Sequence, residues 1–180
     1  MFEYKGMEGI TEMKIKPIIL IDTREQTPLV FENCQTEKAT LYSGDYSLLY
    51  MESIFAVERK STPDLIGSLT QGRKRFVHEL ERLRGFTFKR LLIIGSIDQI
   101  KAGNYRSKAT PAAITGSLSA MEVRYGIPVV WAKTRTDAAT LIESWCYYFL
   151  RERIKESEQL MQLIKEEPRT PHTAREGITA

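Results

Sequence analysis

Residues 22–64 carry acidic and basic side chains in an arrangement that could form a hydrolytic site. Asp45 follows Gly44 at a bend between two extended segments, and Glu58 stands two positions before Lys60 at the end of an apolar run. Because side chains alternate along an extended chain, Glu58 and Lys60 share one face. Asp22 ends an earlier apolar run. If these segments lie side by side, three carboxylates and one lysine converge.

Such a set suits the hydrolysis of a phosphodiester. A hard divalent cation such as Mg²⁺ prefers a few carboxylates and several retained waters, and it supplies a nucleophilic water and charge relief at the phosphate. We expect Asp45 and Glu58 to be ligands, with Asp22 as a third that binds directly or through a water. Lys60 would orient the water, help to deprotonate it, or neutralise phosphate charge, and the sequence leaves these three roles open.

Each of these features also has a simpler structural explanation. A charged triplet at a strand end is most often solvated surface, and a single Gly-Asp pair is commonly a turn. Asp64 falls in the first turn of a predicted helix, so the leading interpretation is that it stabilises the helix dipole. The joint pattern, with two acidic strand ends and the matched pair at 58 and 60, favours a site.

The elements that must position these residues are short strands followed by strands alternating with helices. Apolar and β-branched runs predict strands at 17–21, 54–57, 91–94 and 127–131, with extended segments at 39–42 and 46–51. Helical spacing predicts three helices, at 62–83, 111–125 and 137–158. The first is capped by Thr62, is interrupted at 71–72 and ends at Gly85. The second ends at Gly126. This order predicts an α/β fold in which helices flank a mixed sheet of about five strands. We expect an N-terminal extension at 1–15, one domain at 16–158 and a polar, disordered tail at 159–180.

Composition and charge narrow the class of protein. The 180 residues are 42% hydrophobic with a net charge of +3, and no apolar run is long enough to span a bilayer, so we expect a cytoplasmic protein without membrane contact. Cys34 and Cys146 lack a zinc pattern and are expected to stay reduced. Residues 71–90 hold 7 basic and 2 acidic side chains. Within them, Arg73 and Arg75 are candidates for phosphate contacts, although a solvated helix face explains them equally well.

Other residues have plainer interpretations. The polar, basic loop at 103–108 contains an aromatic residue that could stack on an unpaired base, but an ordinary surface loop is the favoured interpretation. His78, Trp131 and Trp145 are interpreted as structural.

Gly44-Asp45, Glu58-Arg59-Lys60 and Asp64 together match the GDXnERKXXXD signature of XPF-type structure-specific endonucleases. The run Ile21-Asp22-Thr23-Arg24-Glu25 also resembles the first strand of that nuclease domain. The resemblance covers roughly residues 16–155. It implies a restriction-endonuclease-like, three-layer core, a requirement for Mg²⁺ or Mn²⁺, and cleavage of DNA at flaps, forks or bubbles in repair or recombination.

The same resemblance implies a role for each matching residue. Asp22, Asp45 and Glu58 become metal-site carboxylates and Lys60 a catalytic lysine, while the supporting groups of the active site are Arg24, Glu25 and Arg59. Two other functions stay open: a non-catalytic DNA-binding partner subunit, and a sequence-specific, restriction-like nuclease.

Relatives of this type usually continue into a tandem helix-hairpin-helix domain that binds DNA and dimerises, whereas here a short polar stretch follows residue 158. We therefore expect either a homodimer, formed through the apolar face of 138–149, or a separate subunit that targets DNA.

Overall fold

The computed structural model describes residues 15–165, which fold around one six-stranded sheet. The strands are β1 (Ile18–Asp22), β2 (Gln35–Ala39), β3 (Tyr46–Leu48), β4 (Phe55–Ser61), β5 (Phe88–Ile94) and β6 (Val129–Ala132), in the spatial order β2-β1-β3-β4-β5-β6. The helices are α1 (Thr62–Leu69), α2 (Arg73–Leu83), α3 (Ile97–Lys101), α4 (Pro111–Tyr125) and α5 (Arg135–Lys165). The α/β class and the mixed sheet predicted from the sequence are thereby confirmed.

Strand directions bring the candidate residues to one edge of the sheet. β1 pairs antiparallel with β3, and β3 pairs antiparallel with β4, so β1 and β4 run in the same direction. The carboxyl ends of β1 and β4 therefore meet at the edge where β3 begins. Asp22 lies at the end of β1, Asp45 immediately precedes β3, and Glu58 is the middle residue of β4, with Lys60 near the end of that strand.

Helices cover both faces of the sheet and make three layers. On one face, α1 to α4 pack over Ala56, Leu91 and Ile93. On the other face, α5 packs over Phe55 and Val57. Alternation along β4 therefore directs Phe55 and Val57 to the α5 side, and Ala56, Glu58 and Lys60 to the α1–α4 side. The predicted shared face of Glu58 and Lys60 is confirmed.

Two elements were missing from the sequence prediction. β2 (Gln35–Ala39) is the sixth strand, and the extended segment expected at 39–42 contributes only Ala39 to it. Its sequence, QTEKA, is polar on both faces because it forms an exposed edge, so it carries no apolar alternation. α3 is only five residues long, too short for a periodic pattern, and it begins with a capping box formed by Ser96 and Gln99.

Helix boundaries differ from the prediction at three places. α1 is capped by Ser61, whose hydroxyl accepts a hydrogen bond from the Asp64 amide, and the predicted cap Thr62 is instead the first helical residue. α2 ends at Leu83 rather than at Gly85. α5 begins at Arg135 and continues to Lys165, seven residues beyond the predicted end at 158, because Gln159 to Lys165 contains no helix breaker. The rest of the predicted tail, 166–180, and nearly all of the extension, 1–14, lie outside the described residues.

Much of the apolar face of α5 packs against the sheet of the same chain. Ala138, Ile142 and Cys146 are fully buried against the sheet. Trp145 lies 5.8 Å from Phe88, ring centre to ring centre, so it belongs to the same core. Most of the face of 138–149 on which we expected a homodimer to form thus packs within the chain, although Tyr148 stays 49% exposed, and the homodimer stays a prediction. Between residues 15 and 165 both cysteines are free, and no helix has the length and apolar character needed to cross a membrane.

Candidate active site

Asp45 is held by the backbone of the neighbouring strand β4. Its amide donates to the Val57 carbonyl at 2.9 Å, and its Oδ2 accepts from the Arg59 amide at 2.7 Å. Gly44 makes this approach possible, because it adopts φ +82° and a Cβ there would lie 3.0 Å from the Val57 carbonyl oxygen. The Gly-Asp pair therefore clamps a carboxylate onto β4.

Glu58 and Lys60 form a tight pair on the α1–α4 side of β4. Lys60 Nζ donates to Glu58 Oε1 at 2.7 Å, and both side chains are 11% exposed. The ammonium also reaches Glu79 Oε2 at 3.4 Å and lies 4.9 Å from the centre of the Phe76 ring. Lys60 is therefore fixed by two carboxylates and an aromatic face.

Glu79 on α2 was not identified as a site residue from the sequence. A weak signal exists, since Phe76 and Leu80 mark the buried face of α2 and Glu79 lies three residues after Phe76, at the edge of that face. What the sequence lacks is any sign that α2 packs beside the end of β4. That contact is a property of the tertiary fold.

The electrostatics of Asp45 and Glu58 favour the binding of a cation beside the two carboxylates. Burial and the nearby Glu58 carboxylate raise the pKa of Asp45 from its ordinary 3.8 to about 7. Burial also raises the pKa of Glu58, and the adjacent Lys60 only partly opposes this. Two carboxylates that resist ionisation side by side would be relieved by a cation. The pair fits Mg²⁺ or Mn²⁺, since one or two carboxylates with retained waters suffice to hold Mg²⁺ in enzymes that act on phosphates.

Asp22 lies at the same edge of the sheet, but its carboxylate is already engaged. It accepts from the amide, Nε and Nη2 of Arg24 at 2.8, 2.7 and 3.0 Å, and from the Leu41 amide at 2.8 Å. Although burial raises it, these hydrogen bonds bring the pKa of Asp22 below its ordinary value. Within residues 15–165, no three His, Cys, Asp or Glu side chains are grouped so that they could hold a metal ion. The structure thus does not join Asp22 to the Asp45–Glu58 pair as a third ligand, and the direct metal role expected of Asp22 stays a prediction.

The three supporting residues form two ion pairs around this edge. Arg59, on the α5 side of β4, donates to Glu25 Oε2 at 2.8 Å, and both side chains are almost fully covered. Arg24 pairs with Asp22 while its own side chain stays 67% exposed. The carboxylates of Asp45 and Glu58 raise the pKa of Arg24, after the larger effect of Asp22. Arg24 is therefore a cation at the open rim of the site.

The other predicted residues have mixed outcomes. Asp64 accepts from the Ser61 hydroxyl at 2.6 Å and belongs to the cap of α1, as its position in the first helical turn predicted. Arg73 donates to Ser117 Oγ at 3.2 Å and joins α2 to α4. Arg75 is 85% exposed, and its Nε lies 3.7 Å from Glu79 Oε1. Unlike Arg73, it therefore pairs with a carboxylate that also contacts Lys60. His78 pairs with Glu81 at the surface.

Comparison with known proteins identifies the family. The sequence profile of the ERCC4 domain matches residues 21–144, more than half of the chain. A Methanocaldococcus jannaschii protein named as an ATP-dependent RNA helicase is 30% identical over 149 residues, which are 81% of this chain and 17% of that protein. The chain thus spans about one sixth of the length of that relative.

Solved structures show the same fold. XPF from Aeropyrum pernix matches with a TM-score of 0.60 and 24% identity, over 72% of this chain and 60% of that one. The same protein in complex with DNA matches with a TM-score of 0.60 and 20% identity, over 77% of this chain and 66% of that one. The match over residues 21–144 includes the last two residues of β1 and all of β3 and β4, and thus Asp45, Glu58 and Lys60. The chain therefore belongs to the ERCC4 domain family and has the fold of an XPF-type nuclease domain.

Proposed function

We propose that this protein is a metal-dependent DNA endonuclease that cuts at junctions between duplex and single-stranded DNA, in repair or recombination. The observation that carries the proposal is the pair of adjacent carboxylates, half-buried Asp45 and buried Glu58, with Lys60 donating a hydrogen bond to Glu58 at 2.7 Å. In this proposal Asp45 and Glu58 hold the divalent cation. When bound, such a cation lowers the pKa of an attacking water and relieves charge at the phosphate.

Lys60 acts in this proposal as a cation and hydrogen-bond donor. Burial lowers its pKa, but the Glu58 and Glu79 carboxylates more than compensate, so the ammonium form is favoured. A protonated lysine orients water or stabilises charge on the phosphate, whereas a general base would need the neutral amine. Of the three roles open from the sequence, deprotonation of the water is the least supported.

Support for DNA as the substrate comes from the family and from the fold. The matching Aeropyrum pernix structure is a complex with DNA, and the side chains at the rim of this site, Arg24 and Arg75, are exposed cations. Positive charge around a carboxylate pair attracts the phosphate backbone without selecting a sequence. The non-catalytic alternative is less well supported, because the chain keeps Asp45, Glu58 and Lys60 as neighbours.

The test is a cleavage assay on end-labelled flap, fork, bubble, single-stranded and plain duplex DNA, with Mg²⁺, Mn²⁺ or a chelator. Wild type is compared with Asp45→Asn and Glu58→Gln, and with Glu37→Gln as a control on the exposed edge strand β2. We expect cutting near junctions that requires the metal, is abolished in both site variants, and is unchanged in the control.

Three outcomes would contradict parts of the proposal. Full activity of Asp45→Asn and Glu58→Gln would remove the site assignment. DNA binding without cleavage in either metal would favour a partner subunit. Cuts that follow a duplex sequence rather than the position of a junction would favour a restriction-like enzyme.

A further inference from the structure

A groove lies beside the candidate active site, on the same side of the sheet as Glu58 and Lys60. It encloses about 1010 Å³ between α1 and the connection from α3 to α4, and Lys133, just after β6, completes its rim. Its nearest wall begins at Thr62, two residues after Lys60, so their Cα atoms are at most about 7 Å apart. A chain lying in the groove would therefore lead towards the site.

The groove is positively charged. Arg106, Lys108 and Lys133 are exposed side chains in its lining, which contains no acidic residue. None of the three forms a salt bridge with a carboxylate in the part of the chain that the structure describes. Their charges are thus available to an external anion, and three separate cations along one groove suit a polyanion better than a single ion.

The wall that carries two of these cations has a fixed shape. Tyr105 donates from its hydroxyl to the Ala109 carbonyl at 2.9 Å, and its ring packs against the core beneath α4. The Asn104 amide donates to the Gln99 carbonyl at 3.0 Å, and the Ala109 amide donates to Ser107 Oγ at 3.1 Å. A preformed wall reduces the entropy lost when a ligand is bound. Because the Tyr105 ring and hydroxyl hold the wall in shape, the binding proposed below does not depend on a base stacking on that ring.

Size decides between a single strand and a duplex. A volume of 1010 Å³ can hold a short stretch of unpaired strand, whereas a duplex, whose major groove alone is roughly 12 Å wide, needs a broader surface. An unpaired strand fits such a space. The exposed amides of Gln71 and Asn104 offer donors and acceptors that unpaired base edges can use without strong sequence preference.

We propose that this groove binds the unpaired strand of the DNA substrate and that Arg106, Lys108 and Lys133 contact its phosphates. The inference rests on the proposed nuclease function and assigns that function a strand-binding subsite. It explains how a small domain could recognise a junction, since the duplex is excluded from the groove while the unpaired arm enters it.

The test measures binding separately from cleavage. In the full 180-residue chain carrying Asp45→Asn, without divalent metal, fluorescence anisotropy gives the affinity for a labelled oligothymidylate and for a blunt duplex hairpin across a series of salt concentrations. The triple variant Arg106→Gln, Lys108→Gln, Lys133→Gln is compared with a control that also loses three charges outside the groove: Lys38→Gln, Arg82→Gln, Lys155→Gln. Circular dichroism and thermal unfolding verify that all the proteins are folded.

We expect the groove variant to lose about tenfold or more in affinity for the single strand, and the slope of log affinity against log salt to become shallower by about 2, at roughly 0.7 for each phosphate contact. The control and the duplex should change much less. The proposal is overturned if the parent does not bind the single strand, if the groove variant binds it like the parent, or if single strand and duplex weaken equally. The nuclease proposal fails differently: wild type would cut no substrate even though the groove variant shows the expected loss of binding.

Discussion

Replacement of Asp45 by asparagine is expected to stabilise the folded protein at neutral pH while abolishing activity. In the absence of metal, burial and the Glu58 carboxylate raise the pKa of Asp45 from 3.8 to about 7. Between these two values the folded state keeps a proton that the unfolded chain has lost. The free energy of unfolding from this group therefore falls as pH rises from about 4 to about 7. Asparagine carries no charge at any pH, and its amide oxygen can still accept from the Arg59 amide.

The size of the effect follows from the shift. One pKa unit corresponds to about 1.4 kcal/mol, so the shift sets an upper limit of about 4 kcal/mol for the destabilisation at pH 7 and above. Asp45 is partly accessible to water, and relaxation of the side chains reduces the repulsion. We therefore expect Asp45→Asn to gain about 1–2 kcal/mol over wild type at pH 8 and almost nothing below pH 4.

Urea unfolding, followed by the fluorescence of Trp131 and Trp145, measures this difference across the pH range in buffer with chelator. Glu37→Gln serves as the control and should stay within about 0.5 kcal/mol of wild type, since Glu37 is exposed on β2. An Asp45→Asn variant that is no more stable than wild type at pH 8 would refute the claim that the two carboxylates repel each other.

Addition of Mg²⁺ extends the same experiment to the metal. A cation held by Asp45 and Glu58 binds only the folded state, so it should stabilise wild type by about 2.7 kcal/mol at a concentration 100 times its dissociation constant. Asp45→Asn should gain little. Equal stabilisation of both proteins would place the Mg²⁺ elsewhere.

Two further changes test the scaffold around the site. Gly44→Ala should lower the free energy of unfolding by about 1–3 kcal/mol, because φ is +82° and the new Cβ would lie 3.0 Å from a backbone oxygen. The control Gly116→Ala, which has open space inside α4, should raise it by about 0.5–1 kcal/mol. Equal effects of the two substitutions would contradict a strained turn at Gly44. Glu79→Gln should lower kcat by about 10- to 100-fold, because it weakens the contact that holds the Lys60 ammonium. Glu81→Gln is the control and should leave kcat unchanged. An unchanged kcat in Glu79→Gln would show that Glu79 does not position Lys60.

The sequence was sufficient to predict the elements whose hydrophobic periodicity and local end signals agree. Phe55 and Val57 alternate with Glu58 and Lys60, and only one assignment of faces buries the apolar pair, so the orientation of β4 was predictable. The boundaries of α4 were also predictable, because Pro111 begins the helix and Gly126, with φ +61°, ends it. These signals involve neighbours in the chain.

The sequence was insufficient where the role of a side chain depends on a competing hydrogen-bond partner or on a contact between distant parts of the chain. Asp22 was correctly placed at a strand end, yet its carboxylate is taken by Arg24, two residues away, and by the Leu41 amide, which only the fold brings near. Glu79 joins Lys60 across the contact between α2 and β4. β2 lacks an apolar alternation that would predict a strand, because four of its five residues are exposed and only Ala39 is half-buried.

The turn between β3 and β4 has a practical use for protein engineering. Residues 49–53 form that turn at the end of the sheet opposite the site, and Glu52 and Ser53 are exposed. The position of Asp45 relative to Glu58 depends on hydrogen bonds between Asp45 and β4, not on the number of residues that connect them. Positions 52 and 53 are therefore suitable for inserting an affinity tag or a fluorophore attachment peptide, or for opening the chain in a circular permutant, without displacing the carboxylate pair.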